Sequence, residues 1–438
     1  MVKIAVPDGT FLLDQLTKQI LALATDRGRM SEAPADLTVV PLSDASPRAV
    51  ELPQALEAAR GSHPDIDLLV LPDASLAFQL ADDGNVLPVN DLRAAASTVS
   101  IDDYLPVALS AVTDQGQMFG APLWVATNVV QFNRPMFDRA GVVPAETGGW
   151  TWNEFELAAQ QLTEFGAEGP SQWGLLLTHS AAPSQQWIWQ NGGEIVNEAT
   201  RRSSVSEPAA VEAMEFVAGL YAEPVTPRFD MNAVNGLQFS GQGASLHGVP
   251  VAMMPLAVGG GFGGGSVSRT EFMVPTPDGR IALIALDMEV LDDAQAAGQR
   301  TGVRDPDLGV MPPPQRRAAA SEARLMGLIS VLDSSQDPLT AYKMIEWLSA
   351  GIEQSAIVAA RSPTAAQILQ ASRQYTDQDA AAILDAASNG RVIAGRQGGQ
   401  ITRLLQRELD APLILGTKSP AEAAANAAGA IDGVLAET

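Results

Sequence analysis

Ile66-Asp67-Leu68-Leu69-Val70-Leu71-Pro72-Asp73 is a nearly unbroken apolar run that stops at a proline and an aspartate. Such a run reads as a strand buried on both faces, and Pro-Asp as the turn that ends it. Two similar runs precede it: Val2 to Val6, ended by Pro7-Asp8-Gly9, and Leu37 to Leu42. Between them, Leu13, Leu16, Ile20 and Leu23 recur at helical spacing, Leu52 to Arg60 predicts a second helix, and Ser75 to Leu80 starts a third. This β-α-β-α-β-α series predicts an α/β fold whose parallel sheet is covered on both faces. Ligands on such sheets sit at the carboxyl ends of the strands, here Pro7–Thr10, Ser43–Ser46 and Asp73–Ser75.

Further along, the pattern changes. Met118 to Trp124 and Val129 to Phe132 read as two strands separated by Val125–Asn128, the kind of pair through which a chain passes between lobes. Thr151-Trp152-Asn153-Glu154 is a helix N-cap with its partner three residues on. Ser206-Glu207-Pro208, Asp337-Pro338 and Ser419-Pro420-Ala421-Glu422 open three more helices, with proline suited to the first helical position. Gly259–Ser268 is a glycine-rich loop, and Arg280–Arg304 joins an apolar run to an acidic segment.

With 438 residues the chain is too long for one ordinary core and predicts two domains or three. Lys+Arg number 27 against 51 Asp+Glu, a net charge of −24, which repels nucleic-acid phosphates and anionic lipid headgroups. There is no cysteine, so disulfides, thiolate metal sites and cysteine nucleophiles are excluded. No apolar run approaches the roughly 20 residues that span a bilayer. Val2 begins a strand directly after Met1 and no signal peptide is recognisable, so the sequence reads either as cytoplasmic or as starting after a removed leader.

Catalytic and cofactor motifs are missing. The three histidines, His63, His179 and His247, have no second histidine at metal spacing. The acid pairs Asp82-Asp83, Asp102-Asp103 and Asp292-Asp293 are adjacent in sequence and read as solvated surface. Gly259, Gly261 and Gly264 satisfy G-x-G-x-x-G, but no helical pattern follows, so a loop lining a ligand cleft is the better reading. No enzyme, cofactor or metal is expected. The tryptophans carry more information: six of the seven lie between 124 and 189. Indole rings offer broad apolar faces on which sugar rings can stack. Trp152 and Trp173 read as core, whereas Trp124, Trp187 and Trp189 stay open between core and ligand contact.

Read in order, several segments resemble the extracellular solute-binding protein family 1 of ABC transporters, the family of the maltose-binding proteins. They are Asp67–Val70 through Leu87-Pro88-Val89, Gly120–Trp124, Gln131-Phe132-Asn133 with Phe137–Gly141, Trp150–Phe155, Asn191–Glu194, Val251–Met254, Arg361–Thr364 and Gly416–Ala423. The resemblance implies an α/β clamshell of the type II periplasmic-binding-protein kind, each lobe a sheet flanked by helices, with a hinge between them. It implies lobe one at 1–125 and 313–348, lobe two at 126–312 and 349–438, with 266–304 an insertion. It also implies a monomer that is exported, usually on a lipid anchor, and delivers its solute to an ABC permease. Leu71 and the region near Gly398–Ile401 lack the aromatic platforms of maltose-binding proteins, which argues against maltodextrin.

The expected function is capture of a carbohydrate or related polyol between two lobes. Asp8, Asp44 and Asp73 would accept hydroxyl hydrogen bonds, Trp124, Trp187 and Trp189 would stack, the Gly259 loop would line the cleft, and Arg361 would donate from lobe two. The alternatives are an oligopeptide or polar amine as solute, a cytoplasmic α/β enzyme, or a scaffold without ligand.

Overall fold

Three parallel strands, Leu37–Leu42, Val2–Pro7 and Leu68–Leu71, form one side of a five-stranded sheet. Its last two strands arrive from far along the chain. Leu328–Val331 runs antiparallel to Leu68–Leu71, and Ala121–Pro122 pairs on its other side. The computed structural model describes residues 1–7, 11–42, 52–177, 183–227, 237–240, 243–258, 269–275, 281–287, 307–353, 358–372 and 375–437. Leu68–Leu71 is buried at all four positions, as its uninterrupted apolar sequence requires of a strand covered on both faces. Helices Phe11–Thr25, Leu52–Ser62, Ala74–Asp82 and Pro338–Glu353 supply the cover. Leu16, Ile20, Leu56, Ile345 and Leu348 are sealed against the sheet, each contributing roughly 1.5–3 kcal/mol of hydrophobic stabilisation.

A second sheet of nine strands is built around Val125–Asn133. This long strand pairs with Val249–Val258, with Leu308–Met311 and with Ser321–Leu325, all antiparallel. The sequence predicts a break at Val125–Asn128; instead these four residues lie inside the strand. The reason is that ladders bind it along its length: Val125 to Thr127 pair with Ser321–Leu325, while Thr127 to Phe132 pair with Val249–Val258. Helices Trp152–Leu162, Ser184–Gln190, Pro208–Ala222 and Pro420–Ala436 gather in the core beside this sheet. The expected capping box of Thr151 with Glu154 forms, and Ser419 makes a second one with Glu422. Reciprocal hydrogen bonds hold each glutamate carboxyl below its usual range.

The chain passes between the two sheets at Pro122–Val125 and at Leu325–Leu328, and the helix Pro338–Glu353 of the first core precedes Val358–Ala360 of a third cluster. Gly327 makes the second passage with φ +90°, a conformation that favours glycine, and its N–H bonds the Pro72 carbonyl at 3.0 Å. Residues 313–325, grouped by resemblance with lobe one, bond to the second body. The Gln315 N–H donates to Trp150, the Arg317 N–H to Gln190, and Ala323 pairs with Thr127. A third apolar cluster lies along the passages, joining Tyr104, Leu105 and Val107 to Val125, Val129, Ala323, Val358–Ala360 and Ile383. In the segment expected to be an insertion, Arg269–Pro275 and Ile281–Asp287 form an antiparallel hairpin that is its own two-stranded sheet.

Candidate functional site

At the carboxyl end of Leu68–Leu71 the chain turns through Pro72 into the helix Ala74–Asp82. Asp73 is its N-cap, accepting from the Leu76 N–H at 3.2 Å, and both Asp73 and Ser75 are exposed. Trp124 lies next to this turn: its carbonyl accepts from the Met326 N–H, and Gly327 bonds Pro72. Arg361 also stands at the passages, bridged through its backbone to Tyr104, one residue past the Leu123–Ala360 bond. Asp73, Trp124 and Arg361 are therefore gathered where the chain passes between the lobes. Trp187 and Trp189 lie in the core of the second lobe. Asp8, Asp44 and the Gly259 loop fall outside the described residues.

The second lobe presents a polar layer at the same end. Side chains alternate along a strand, so Ala126 and Asn128 share a face with Glu322 and Arg324 of the paired strand. The opposite face carries Val125, Val129 and Ala323, with the Thr127 and Ser321 hydroxyls hydrogen-bonded to each other at 3.0 Å among them. The helix Ser184–Gln190 lies over the polar face. The Asn128 amide donates to Gln186 Oε1 and to Glu322 Oε2, both at 3.3 Å. Gln186 Oε1 also accepts the Glu322 N–H at 2.8 Å, and Arg324 Nε reaches Glu322 Oε1 at 3.1 Å. The Ser184 N–H donates to Asp410 at 3.0 Å.

Arg324 is exposed at the edge of this layer, whereas Asn128, Ser184, Gln185, Gln186 and Glu322 are buried in it, and its bonding is incomplete. Asn128 Oδ1, Gln185 Oε1 and Ser184 Oγ have no hydrogen-bond partner among the described residues. An unmet buried polar atom costs about 1–3 kcal/mol, so each of the three is a candidate contact for a bound group. Two are acceptors and the third, a hydroxyl, both donates and accepts. Indole Nε1 of Trp124, buried at the passages, is a fourth such atom.

The sequence missed Asn128, Gln185, Gln186 and Glu322. The signal was present: Thr127-Asn128 interrupts an apolar strand, and Ser184-Gln185-Gln186 opens a helix whose every residue is buried. The tryptophans it did single out are enclosed. Trp124, Trp187 and Trp189 are no more than 2% exposed, so none offers an open face for stacking in this form. Trp187 meets Trp152 edge-on at 5.6 Å, and Arg391 covers the Trp189 ring at 4.9 Å.

The family model described as bacterial extracellular solute-binding protein matches residues 36–261, just over half of the chain. Curated protein sequences give no match. Solved structures match over the whole length. A sugar transporter protein from Rhizobium etli in an open conformation is 15% identical, covers 98% of each chain and has a TM-score of 0.70. The sugar-binding protein MalE from Xanthomonas citri is 14% identical, with 100% of this chain and 97% of that one covered and a TM-score of 0.65. An ABC transporter solute-binding protein from Thermotoga lettingae bound with alpha-D-tagatose is 17% identical, with 99% of each chain covered and a TM-score of 0.62. At these identities the likeness establishes the two-lobed α/β fold. Family and fold agree, and the chain belongs to the bacterial extracellular solute-binding proteins, which bind solutes and are not enzymes.

Proposed function

We propose that this protein is the solute-capturing subunit of an ABC importer and that its solute is a carbohydrate or related polyol. The observation that carries this reading is the buried polar layer of Ser184, Gln185 and Asn128, whose unmet atoms suit a guest rich in hydroxyl groups. Hydroxyls both donate and accept, so one polyol can serve Asn128 Oδ1, Gln185 Oε1 and Ser184 Oγ together. The solved relatives that bind sugars, tagatose among them, support the same class.

On this reading lobe one comprises about residues 1–124 and 326–353, and lobe two the remainder, following the sheets and cores. Asp73 and Ser75 face the solute from lobe one, and the polar layer faces it from lobe two. The solute favours closure because only the closed form lets it touch both walls. Asp8, Asp44, Gly259 and Arg361 remain proposed contacts, and an ABC permease the proposed recipient. The protein would act as a monomer outside the cytoplasm. Among the described residues no helix is long and apolar enough to cross a membrane.

A thermal-shift screen over monosaccharides, oligosaccharides, polyols, amino acids and short peptides tests the proposal. A ligand at 100 times its Kd stabilises by about 2.7 kcal/mol. A shift with a sugar or polyol, reduced by Asn128→Ala, is the expected result. Shifts confined to peptides or amines would redirect the assignment to that solute class.

A further inference from the structure

Away from the polar layer, the lobes meet along a seam, and one side chain dominates it. Arg396 stands on the segment between the strand Gly390–Arg391, which pairs into the second sheet, and the helix Gly398–Leu405, whose Ile401 and Leu405 belong to the second core. Its guanidinium reaches four groups of the other lobe. Nη1 donates to the Phe78 carbonyl at 3.1 Å and to the Asp82 carboxylate. Nε lies 2.9 Å from Asp114 Oδ2, and the guanidinium plane sits 5.8 Å from the Phe119 ring centre. Phe78 and Phe119 are themselves core residues of the first lobe and touch edge-on at 5.7 Å.

The segment carrying Arg396 is fixed at both ends. A β-carbon at Gly398 would stand 2.0 Å from the Ile393 carbonyl oxygen, so only glycine permits this turn. At the other end, a β-carbon at Gly390 would stand 2.8 Å from the Ala387 carbonyl oxygen and 3.0 Å from Val107 of the helix Pro106–Val112, so a side chain there would crowd both. From there the seam runs past Asp114 and Phe78 to Ser75, where a β-carbon at Gly399 would lie 3.0 Å from Ser75 Oγ and 4.0 Å from its Cβ. It ends two residues from Asp73, beside the carboxyl end of the first sheet.

We propose that Arg396 is a latch that closes the two lobes in the absence of solute. None of its four partners requires a guest, and each belongs to the opposite lobe. Arginine suits this task because its planar fork bonds the Phe78 carbonyl and the Asp82 carboxylate, pairs by charge with Asp114 and lies over the Phe119 ring. Closure stabilised in advance lowers what the solute must contribute, and so tightens its binding without contact from Arg396. Because the carboxylate contacts are partly exposed, salt weakens the latch.

The test uses the absence of native cysteine. Ser75→Cys with Gly399→Cys places two Cβ atoms 4.0 Å apart, inside the range a disulfide accepts. In solute-free protein at low salt the latch predicts rapid cross-linking on mild oxidation. Adding Arg396→Gln should slow cross-linking at least about fivefold, with Arg396→Lys between the two, since lysine keeps the charge and loses the fork. Small-angle scattering of the solute-free chain with and without Arg396→Gln gives a second reading that needs no cysteines: the variant should be more extended, and high salt should extend the unsubstituted chain towards it. Equal cross-linking rates, no cross-link without solute, or identical scattering profiles would overturn the latch. None of these measurements depends on which solute the cleft accepts.

Discussion

The two lobes fill their interiors with different residues. The first core is mainly aliphatic, with Ile4, Leu69, Val70, Leu71, Leu328 and Ile345 between a sheet and the helices that cover it. The second contains a knot of aromatic rings: Trp152 stacks on Phe216 at 4.5 Å, and Trp187 meets Trp152 at 5.6 Å, Phe216 at 5.6 Å and Phe155 at 6.1 Å. A layered parallel sheet leaves narrow gaps that branched aliphatics fill. Helices packed on one another leave wider and less regular spaces, which broad rings close. A cluster of tryptophans in a binding protein can therefore mark the architecture of a lobe rather than its ligand.

Trp187→Ala gives the strongest test of this contrast. It should lower unfolding stability by about 3–5 kcal/mol in a urea titration, because a large cavity opens in the knot. If the variant keeps its stability and loses solute affinity, the ring is a platform and the contrast fails. Asp379→Ala probes the region between the two cores. Asp379 is 2% exposed, pairs with Arg134 at 2.9 Å and accepts the Val310 N–H at 2.9 Å. Its removal should cost about 3 kcal/mol in the same titration, since a partly buried guanidinium loses its counter-charge.

Asp73→Asn should change stability by less than about 0.5 kcal/mol, because asparagine caps a helix as well as aspartate does. Solute affinity measured by calorimetry should nevertheless fall, separating the lining of the cleft from the packing behind it. The smallest effect belongs to the surface of the second lobe. Burial and the nearby Glu223 carboxylate raise the Glu156 carboxyl above its usual range. The folded form then holds a proton more tightly than the unfolded one, so stability falls as pH rises from the unfolded value towards the folded one. Glu156→Gln should be slightly more stable than the parent near neutrality, and thermal melts should show the difference vanish on acidification.

These tests also show where the sequence was readable. The strands Val2–Pro7, Leu37–Leu42 and Leu68–Leu71 were legible because each is apolar and ends at a turn signal or gap in hydrophobicity. The helix at Trp152 was legible because Thr151 announces it with a glutamate three residues later, and the last helix because Ser419-Pro420 opens it with a proline at its first position. The long strand Val125–Asn133 was not, because its continuity depends on partners more than 100 residues away. The polar layer was hidden for the same reason: Asn128, Gln186 and Glu322 mean little separately and become a layer only when three distant segments meet. Arg396 gave no local signal, since its partners lie more than 270 residues upstream.

The insertion of Leu328–Val331 between Leu68–Leu71 and Ala121–Pro122 sets a timetable for biogenesis. At about 5–20 residues per second, synthesis of the roughly 250 residues between Leu71 and Leu328 takes on the order of 12–50 s. Through that interval the first lobe has its parallel strands but lacks the strand that joins its two halves. The nascent chain thus carries an unsealed sheet edge while most of the second lobe is still being made, and its final folding step is the capture of a late strand by an early template.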